Sequence, residues 1–437
     1  MKTFGTHRGV YLALVALTTA IAAHAQARPD TLYLDDLQRA AERTDRRSAQ
    51  TALVTAQTAL RLETIRRERL PAISTTATAQ YLSDVANLGS VLPGVTVPVV
   101  RNDQYDAYVS VRQPLFDATR IRRAALEQAQ QLESQARLNA VLFQQRAAVS
   151  EAFFGVVLRD AQLRSITAAI ADLDARLRVA TTRVTSGAAL PSEQLLLEAE
   201  RARRIQSRDE TALERAANRE VLAALVGREL PSGVVLAVRL PGTDAAYSRT
   251  TSDTLRARPE FTQFDRARAV LDARRAATLA QDLPRVSAFG RSGYGRPGLN
   301  PLGRSFDTYW SAGVQVDWAP FNWGRTRRDK EVQELQAATM QSDEAAFRES
   351  LKRAGITERA RLAILTQSLI ADDSIVSLRA RILGEARLRY DEGEVNAADY
   401  VARLTEHLTA QLDRDLRRVR LDESRAHYLT TLGLEVH

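Results

Sequence analysis

The feature that most restricts the fold is that the chain is written twice. Val109-Ser-Val-Arg-Gln-Pro-Leu-Phe116-Asp-Ala-Thr-Arg120 returns 205 positions later as Val314-Gln-Val-Asp-Trp-Ala-Pro-Phe321-Asn-Trp-Gly-Arg325. Arg183-Val-Thr-Ser-Gly187 returns as Arg389-Tyr-Asp-Glu-Gly393, and Leu222-Ala-Ala-Leu-Val-Gly227 as Tyr428-Leu-Thr-Thr-Leu-Gly433, both 206 positions on. Leu70-Pro-Ala-Ile-Ser74 returns as Leu283-Pro-Arg-Val-Ser287 at an interval of 213. Only the segment between the first and second motifs changes the interval, so that segment is a loop of variable length. A long repeated period of this kind means that one structural unit is used more than once.

Each half reads in the same order. A helix of moderate length (Leu34–Arg69; Thr254–Asp282) precedes two short extended runs, a very long helix, a turn at Gly187 or Gly393, and a returning helix that ends at Gly227 or Gly433. From Thr119 to Ser186 there is no proline, and the only glycine is Gly155. Alanine, leucine, arginine and glutamine dominate, all good helix formers. Leu163, Ile166, Ile170, Leu173, Leu177, Ala180 and Val184 step alternately by three and four, a heptad seam. Such a helix is roughly 100 Å long. It has to pack as an antiparallel hairpin against further helices. Arg325 to Tyr390 has a similar composition, with its seam interrupted at Asp372 and Arg379.

The extended runs have period two. Trp310, Ala312, Val314, Val316 and Trp318 alternate with Ser311, Gly313, Gln315 and Asp317. Tyr105, Ala107, Val109 and Val111 alternate with Asp106, Tyr108, Ser110 and Arg112. Ile73, Thr75, Ala77, Ala79 and Tyr81 alternate with Ser74, Thr76, Thr78 and Gln80, and Val286–Arg291 alternates less cleanly. Strands of about ten residues with one apolar face, one polar face and flanking aromatics have the sequence form of a membrane β-barrel, or of a half-exposed soluble sheet. Four strands cannot close a barrel, and unpaired edges are not tolerated in lipid. Strands in a membrane would therefore have to be shared among identical copies. The repeat places all four at one end of the molecule and both glycine turns at the other.

Composition narrows the alternatives. The absence of cysteine excludes disulfides, thiolate metal sites, a cysteine nucleophile and an N-terminal lipid anchor. Lys2 and Arg8, the apolar run Val10 to Ala22, and Ala23-His24-Ala25 before Gln26 read as a secretory signal over residues 1–25. No later run of roughly 18 apolar residues is seen, so no membrane helix is expected. The net charge of +8 comes from arginines interleaved with glutamates and alanines, not from a basic block, which argues against nucleic acid as a partner. Gly293-Tyr-Gly-Arg-Pro-Gly298 fits a dinucleotide fingerprint, but Pro297 and Pro301 stand where the phosphate-binding helix would begin. A loop is expected there, matching Ser83–Gln104 in the first half. His407 and His427 lie about 30 Å apart on one helix. No catalytic constellation, metal site or cofactor motif is visible, so neither an enzyme nor a cofactor is expected.

Arg69-Leu-Pro-Ala-Ile-Ser-Thr-Thr-Ala, Val111-Arg-Gln-Pro-Leu-Phe-Asp, and the arginine–glycine pairs Arg183/Gly187 and Arg389/Gly393 together resemble the TolC-like outer-membrane efflux proteins over essentially the whole mature chain. The resemblance implies a mainly α fold, in which long antiparallel hairpins form a trimeric α-barrel. Four short strands per protomer would contribute to a shared twelve-stranded membrane β-barrel. Residues 26–230 would form the first repeat, 231–253 a linker and 254–437 the second repeat. The implied role is a passive exit duct in the outer membrane, with its helical tunnel in the periplasm. It would be a homotrimer seated in outer-membrane lipid, docked on a periplasmic adaptor that links an inner-membrane transporter. A surface or periplasmic coiled-coil protein without channel activity is the alternative.

The same resemblance suggests a periplasmic gate at Glu193, Tyr390 and Asp399, with a bond from the Tyr390 hydroxyl to Glu193. Gly187, Ala188, Leu190, Gly393, Glu394 and Val395 become candidate adaptor-contact tips. Val109, Val111, Trp310, Val314, Val316 and Trp318 become candidate membrane-facing residues. Two positions depart from the family pattern: Val395 stands where an arginine latch can sit, and Ala402, followed by Arg403, stands at a second acidic-ring position. Glu193 and Asp399 also suit the first turns of helices, where acids are favoured, and Pro191-Ser192 reads as a cap.

Overall fold

The structure is a computed structural model, and it describes residues 31–85, 101–231, 233–241, 256–300, 303 and 305–434. The signal segment, most of the Ser83–Gln104 loop and most of the 231–253 linker lie outside the described residues.

The first half runs β1 (Thr31–Tyr33), α1 (Leu34–Thr44), α2 (Gln50–Arg67), β2 (Ala72–Tyr81), β3 (Asp103–Phe116), α3 (Ala118–Phe143), α4 (Gln145–Thr185) and α5 (Pro191–Val226). The second runs β4 (Val235–Ala237), α6 (Pro259–Ala280), β5 (Arg285–Arg296), β6 (Asp307–Asp317), α7 (Arg325–Glu392) and α8 (Ala397–Thr431). The repeat therefore holds in three dimensions, because each half carries two strands, a long helix and a returning helix in that order. Its glycines hold as well. Gly187, Gly393, Gly227 and Gly433 all have φ between 72° and 81°. All four helix ends carry the same six-to-one bond, from Ala188 to Arg183, Glu394 to Arg389, Arg228 to Ala223 and Leu434 to Leu429. This is the glycine-terminated Schellman turn.

Two expected helices are interrupted. Leu34–Arg69 breaks at Asp45, whose extended backbone (ψ 128°) leaves the helix and whose carboxylate accepts the Arg47 N–H at 2.8 Å. A short 3₁₀ turn, Arg46–Ala49, then leads into α2. The first long helix is divided at Gln144 into α3 and α4. Its counterpart α7 is continuous over 68 residues, about 100 Å.

β2, β3, β5 and β6 form one antiparallel sheet in that order, and β1 pairs with β4 in parallel. Below the sheet two cores hold the helices. An upper one gathers Leu34, Leu37, Val149, Phe153, Leu222, Val226, Tyr428 and Leu432 where α1 meets α4, α5 and α8. A lower one gathers Leu173, Ala180, Leu197, Leu383, Tyr390, Tyr400, Leu404 and Leu408 near the glycine turns. Ile166, Ile170, Leu173 and Ala180 of the heptad seam are buried. The polar interruptions of the second seam are explained by pairing across the α7–α8 hairpin: Asp372 meets Arg417 at 2.5 Å and Arg379 meets Glu406 at 2.6 Å. Contrary to the expectation of no membrane-length segment, one stretch of Ala118–Thr185 is long and apolar enough to cross a membrane by composition. Within Ala118–Thr185, Val149, Phe153 and Val156 are buried inside the protein.

Candidate functional site

The four-stranded sheet is amphipathic in the reverse sense to a soluble one. Register rows bring Val109 beside Thr75 and Ser292, and Ser292 beside Trp310. The same face carries Ile73, Val111, Val314 and Val316, all exposed; Trp310 is 75% and Val314 65% exposed. Trp318, just past β6, is exposed too. The opposite face is polar and mostly half-buried. Ser74 and Ser110 share a hydrogen bond at 2.7 Å, Tyr309 donates to Asp106 at 2.5 Å, and Arg291 donates to Ser311 at 3.0 Å. Five of the six candidate membrane-facing residues, Val109, Val111, Trp310, Val314 and Val316, thus project from a single apolar face. The polar side chains satisfy one another on the opposite face. Among the described residues, β2 and β6 each pair on one side only.

The sheet ends in an aromatic collar. Phe321 and Trp323 are 87% and 91% exposed. The turn that holds them out is fixed from below: Asn322 and Thr326 both donate to the Asp282 carboxylate, at 2.8 and 2.7 Å. The Trp318 indole donates to the Asp282 carbonyl at 3.0 Å. Gly293 and Gly295 of the dinucleotide-like motif lie inside β5. A Cβ on Gly293 would come within 2.6 Å of Tyr108 Cβ. Gly293 admits Tyr108 and Tyr309 and Gly295 admits Asp106, all from neighbouring strands; among the described residues no helix follows them to receive a phosphate.

At the other end, the two hairpin tips are tied together within the chain. Arg183, four residues before Gly187, reaches across and donates to the carbonyls of Tyr390 (2.6 Å) and Asp391 at the end of α7. It adds a second donor to the Tyr390 carbonyl, which already accepts the Gly393 N–H at 3.1 Å, and caps the Asp391 carbonyl in the last turn of the helix. Arg176 pairs with the Asp391 carboxylate. Asp172 accepts the Tyr400 hydroxyl on one oxygen and Arg387, at 2.5 Å, on the other. Tyr390 and Tyr400 are fully buried and stacked, with ring centroids 5.4 Å apart. Burial, and next the Asp172 hydrogen bond, push the Tyr400 hydroxyl pKa up.

The expected Tyr390–Glu193 bond is not formed. The Tyr390 hydroxyl is buried and has no hydrogen-bond partner among the described residues. Burial first, and the nearby Glu193 charge second, raise its pKa. Glu193 lies in the first turn of α5, but the residue at the cap position is Leu190, with Pro191 opening the helix. This corrects the reading of Pro191-Ser192 as a cap. Asp399 is exposed in the first turn of α8, where its backbone N–H donates to the Asn396 side chain at 2.9 Å. Gly187, Ala188, Leu190, Gly393 and Glu394 are exposed at the tips, and Val395 is half-buried against the lower core. Sequence reasoning missed Asp172, Arg176, Arg387 and Tyr400. Only Arg183 had a signal, its place in a repeated arginine–glycine motif.

No protein-family model matches the chain, and no curated protein matches it. Solved structures do. The chain is similar to CusC, in a study of folding and transmembrane channel formation, with TM-score 0.68, 14% identity and 93% of each chain covered. It is similar to the outer-membrane channel OprN, with TM-score 0.61, 18% identity and 98% of each chain covered. It is also similar to the Neisseria gonorrhoeae MtrE outer-membrane channel in its open state, with TM-score 0.63, 17% identity, 92% of this chain and 89% of that one.

Proposed function

We propose, from the premise that the chain has the TolC-like outer-membrane channel fold, that it is one protomer of a passive exit duct and not an enzyme. Three copies share a barrel of their four-stranded sheets, and the hairpins continue the bore as a periplasmic tunnel. One observation carries the reading: an exposed apolar face on a sheet with two open edges. In water that face is a large unfavourable patch, and in lipid open edges are costly. Sharing the sheet among copies within a bilayer removes both problems. The collar at Phe321 and Trp323 supports it, since aromatic girdles mark the membrane–water boundary of such barrels.

In this reading residues 1–25 direct export, and 26–230 and 254–437 are two copies of one unit joined by 231–253. The exposed turns at Gly187, Ala188 and Leu190 and at Gly393, Glu394 and Val395 meet a periplasmic adaptor, and an inner-membrane transporter supplies the driving force. The gate lies where the hairpin tips are tied. Half-buried Glu193 and the three exposed Asp399 carboxylates line the closing ring, with Tyr390 buried behind them. The Asp172–Tyr400–Arg387 group and Arg183 hold the two hairpins of each chain together.

The test is membrane assembly. The full-length protein should fractionate with the outer membrane and sediment in detergent as a trimer. Val314→Arg with Val316→Arg should abolish insertion, since arginine on the lipid face costs about 2–4 kcal/mol at mid-membrane. A soluble, monodisperse monomer, or a double variant that still assembles in membranes, would refute the proposal.

A further inference from the structure

The two tips are built alike but bonded unlike. Arg183 caps the carbonyls of Tyr390 and Asp391. Arg389 occupies the same place in the second copy, 206 positions on. It too stands four residues before a left-handed glycine, and the local backbone bonds are the same. Yet Arg389 is exposed, and among the described residues its side chain makes no hydrogen bond or ion pair. The carbonyls that correspond to those of Tyr390 and Asp391 are Val184 and Thr185, at the C-terminal end of α4. In both tips the first of these carbonyls already accepts the tip glycine N–H, Gly187 to Val184 at 3.0 Å and Gly393 to Tyr390 at 3.1 Å, and a carbonyl has a second lone pair for a side-chain donor.

We propose that Arg389 of one protomer caps the Val184 and Thr185 carbonyls of the next, repeating between chains the bond that Arg183 makes within one. The inference rests on the trimeric channel reading. A ring of six similar hairpins, two from each chain, presents two kinds of seam, one within a chain and one between chains. The internal repeat relates them: α4 against α8 within a chain corresponds to α7 against the neighbour's α5.

The side chains along the second seam fit burial against a copy. Asp172 and Arg176, which bond the seam within the chain, are replaced at the corresponding positions by Leu378 and Ile382, both exposed. On α5, exposed Leu195 stands where Val401 of α8 packs against the lower core. The seam between chains is thus apolar, with Arg389 as its one repeated polar bond. Apolar residues buried only on assembly are what an obligate interface contains. Arginine suits the cap because its planar fork can meet two carbonyls at once.

The natural absence of cysteine makes the test direct. In the full-length protein, Thr185→Cys with Arg389→Cys is treated with a short bifunctional thiol reagent, beside Arg183→Cys with Asp391→Cys. The first pair should give covalent dimers and trimers on a denaturing gel, and the second only internally linked monomer. In a separate variant, Arg389→Gln should lower the temperature at which the trimer dissociates while leaving helicity unchanged. If the unmodified protein sediments as a trimer and the second pair links but the first gives no covalent oligomer, the inference fails and the channel reading stands. If the unmodified protein is a monomer, the channel reading itself fails.

Discussion

Asp172 is shared by a tyrosine and an arginine that lie more than 200 positions away in sequence, and both bonds are to an ionised group. Hydrogen bonds to charged groups contribute about 1.5–3 kcal/mol each. Tyr400→Phe and Asp172→Asn should therefore loosen the tips and raise the conductance of reconstituted channels. Tyr390 should behave differently, although it is equally buried and stacked on Tyr400. Among the described residues its hydroxyl has no partner, so Tyr390→Phe removes an unsatisfied group and should leave the melting temperature unchanged or higher. A drop in melting temperature as large as that of Tyr400→Phe would mean that the Tyr390 hydroxyl finds a partner in the assembled channel.

His407 adds a pH dependence to the same region. Burial, then the charges of Arg414 and Arg387, hold its pKa below the usual histidine value, with Asp172 opposing them. The unfolded chain then binds the proton more readily than the folded one. Stability from this group is complete above the unfolded pKa of about 6.5 and is lost as pH falls below it toward the folded value. Amide protection factors near the tips, corrected for the intrinsic pH dependence of exchange, should fall between neutral pH and about 5.5. In His407→Leu that loss of protection should shrink; if it persists in full, other groups carry it.

At the scale of elements, glycines that look equivalent in sequence do different work. Gly187 and Gly393 need a left-handed backbone but have open space where a Cβ would sit, apart from Arg183 Nη2 at 3.7 Å from the Gly393 position. Gly433 has the same backbone, and a Cβ there would stand 2.7 Å from the Arg258 backbone nitrogen. Gly187→Ala should cost about 1–2 kcal/mol, the left-handed penalty alone. Gly433→Ala should cost clearly more, since α6 would have to move. Thermal unfolding of the solubilised protein orders the two, and equal losses would mean that the α6 junction gives way freely. The repeat, the four strands, the outward face of the sheet and the tip turns were all legible, because each is a local pattern of period two, three-and-four or about 206. The break at Asp45 was missed because a side chain that competes for its own backbone looks like any exposed acid. The tip bonds were missed because the register of one hairpin against another decides which polar groups meet. Glu193 was paired with Tyr390 by analogy; within one protomer that bond is not formed, and the bonds at the tip run from Arg183 to the Tyr390 and Asp391 carbonyls and from Tyr400 to Asp172.

The whole molecule exposes 28262 Å², against about 17,000 Å² for a compact monomer of this mass. In the channel reading copies of the chain cover that surface, and the hairpin dimensions must match around the ring. The two returning helices do match: α5 has 36 residues and α8 has 35. Both hairpins therefore reach the same plane, where Arg183 and Asp172 can meet the second tip. Removing one heptad from α4 and one from α5 would lift the first tip by about 10 Å and part every bond between the tips. Removing a heptad from each of α4, α5, α7 and α8 would shorten both hairpins equally and keep seven-residue register along the seams. The one-hairpin deletion should give a trimer that leaks in single-channel recordings, because its barrel is untouched while its tips are unpaired. The four-helix deletion should restore the closed baseline in the same recordings. If both deletions leak alike, the tips are held by something other than matched hairpin length.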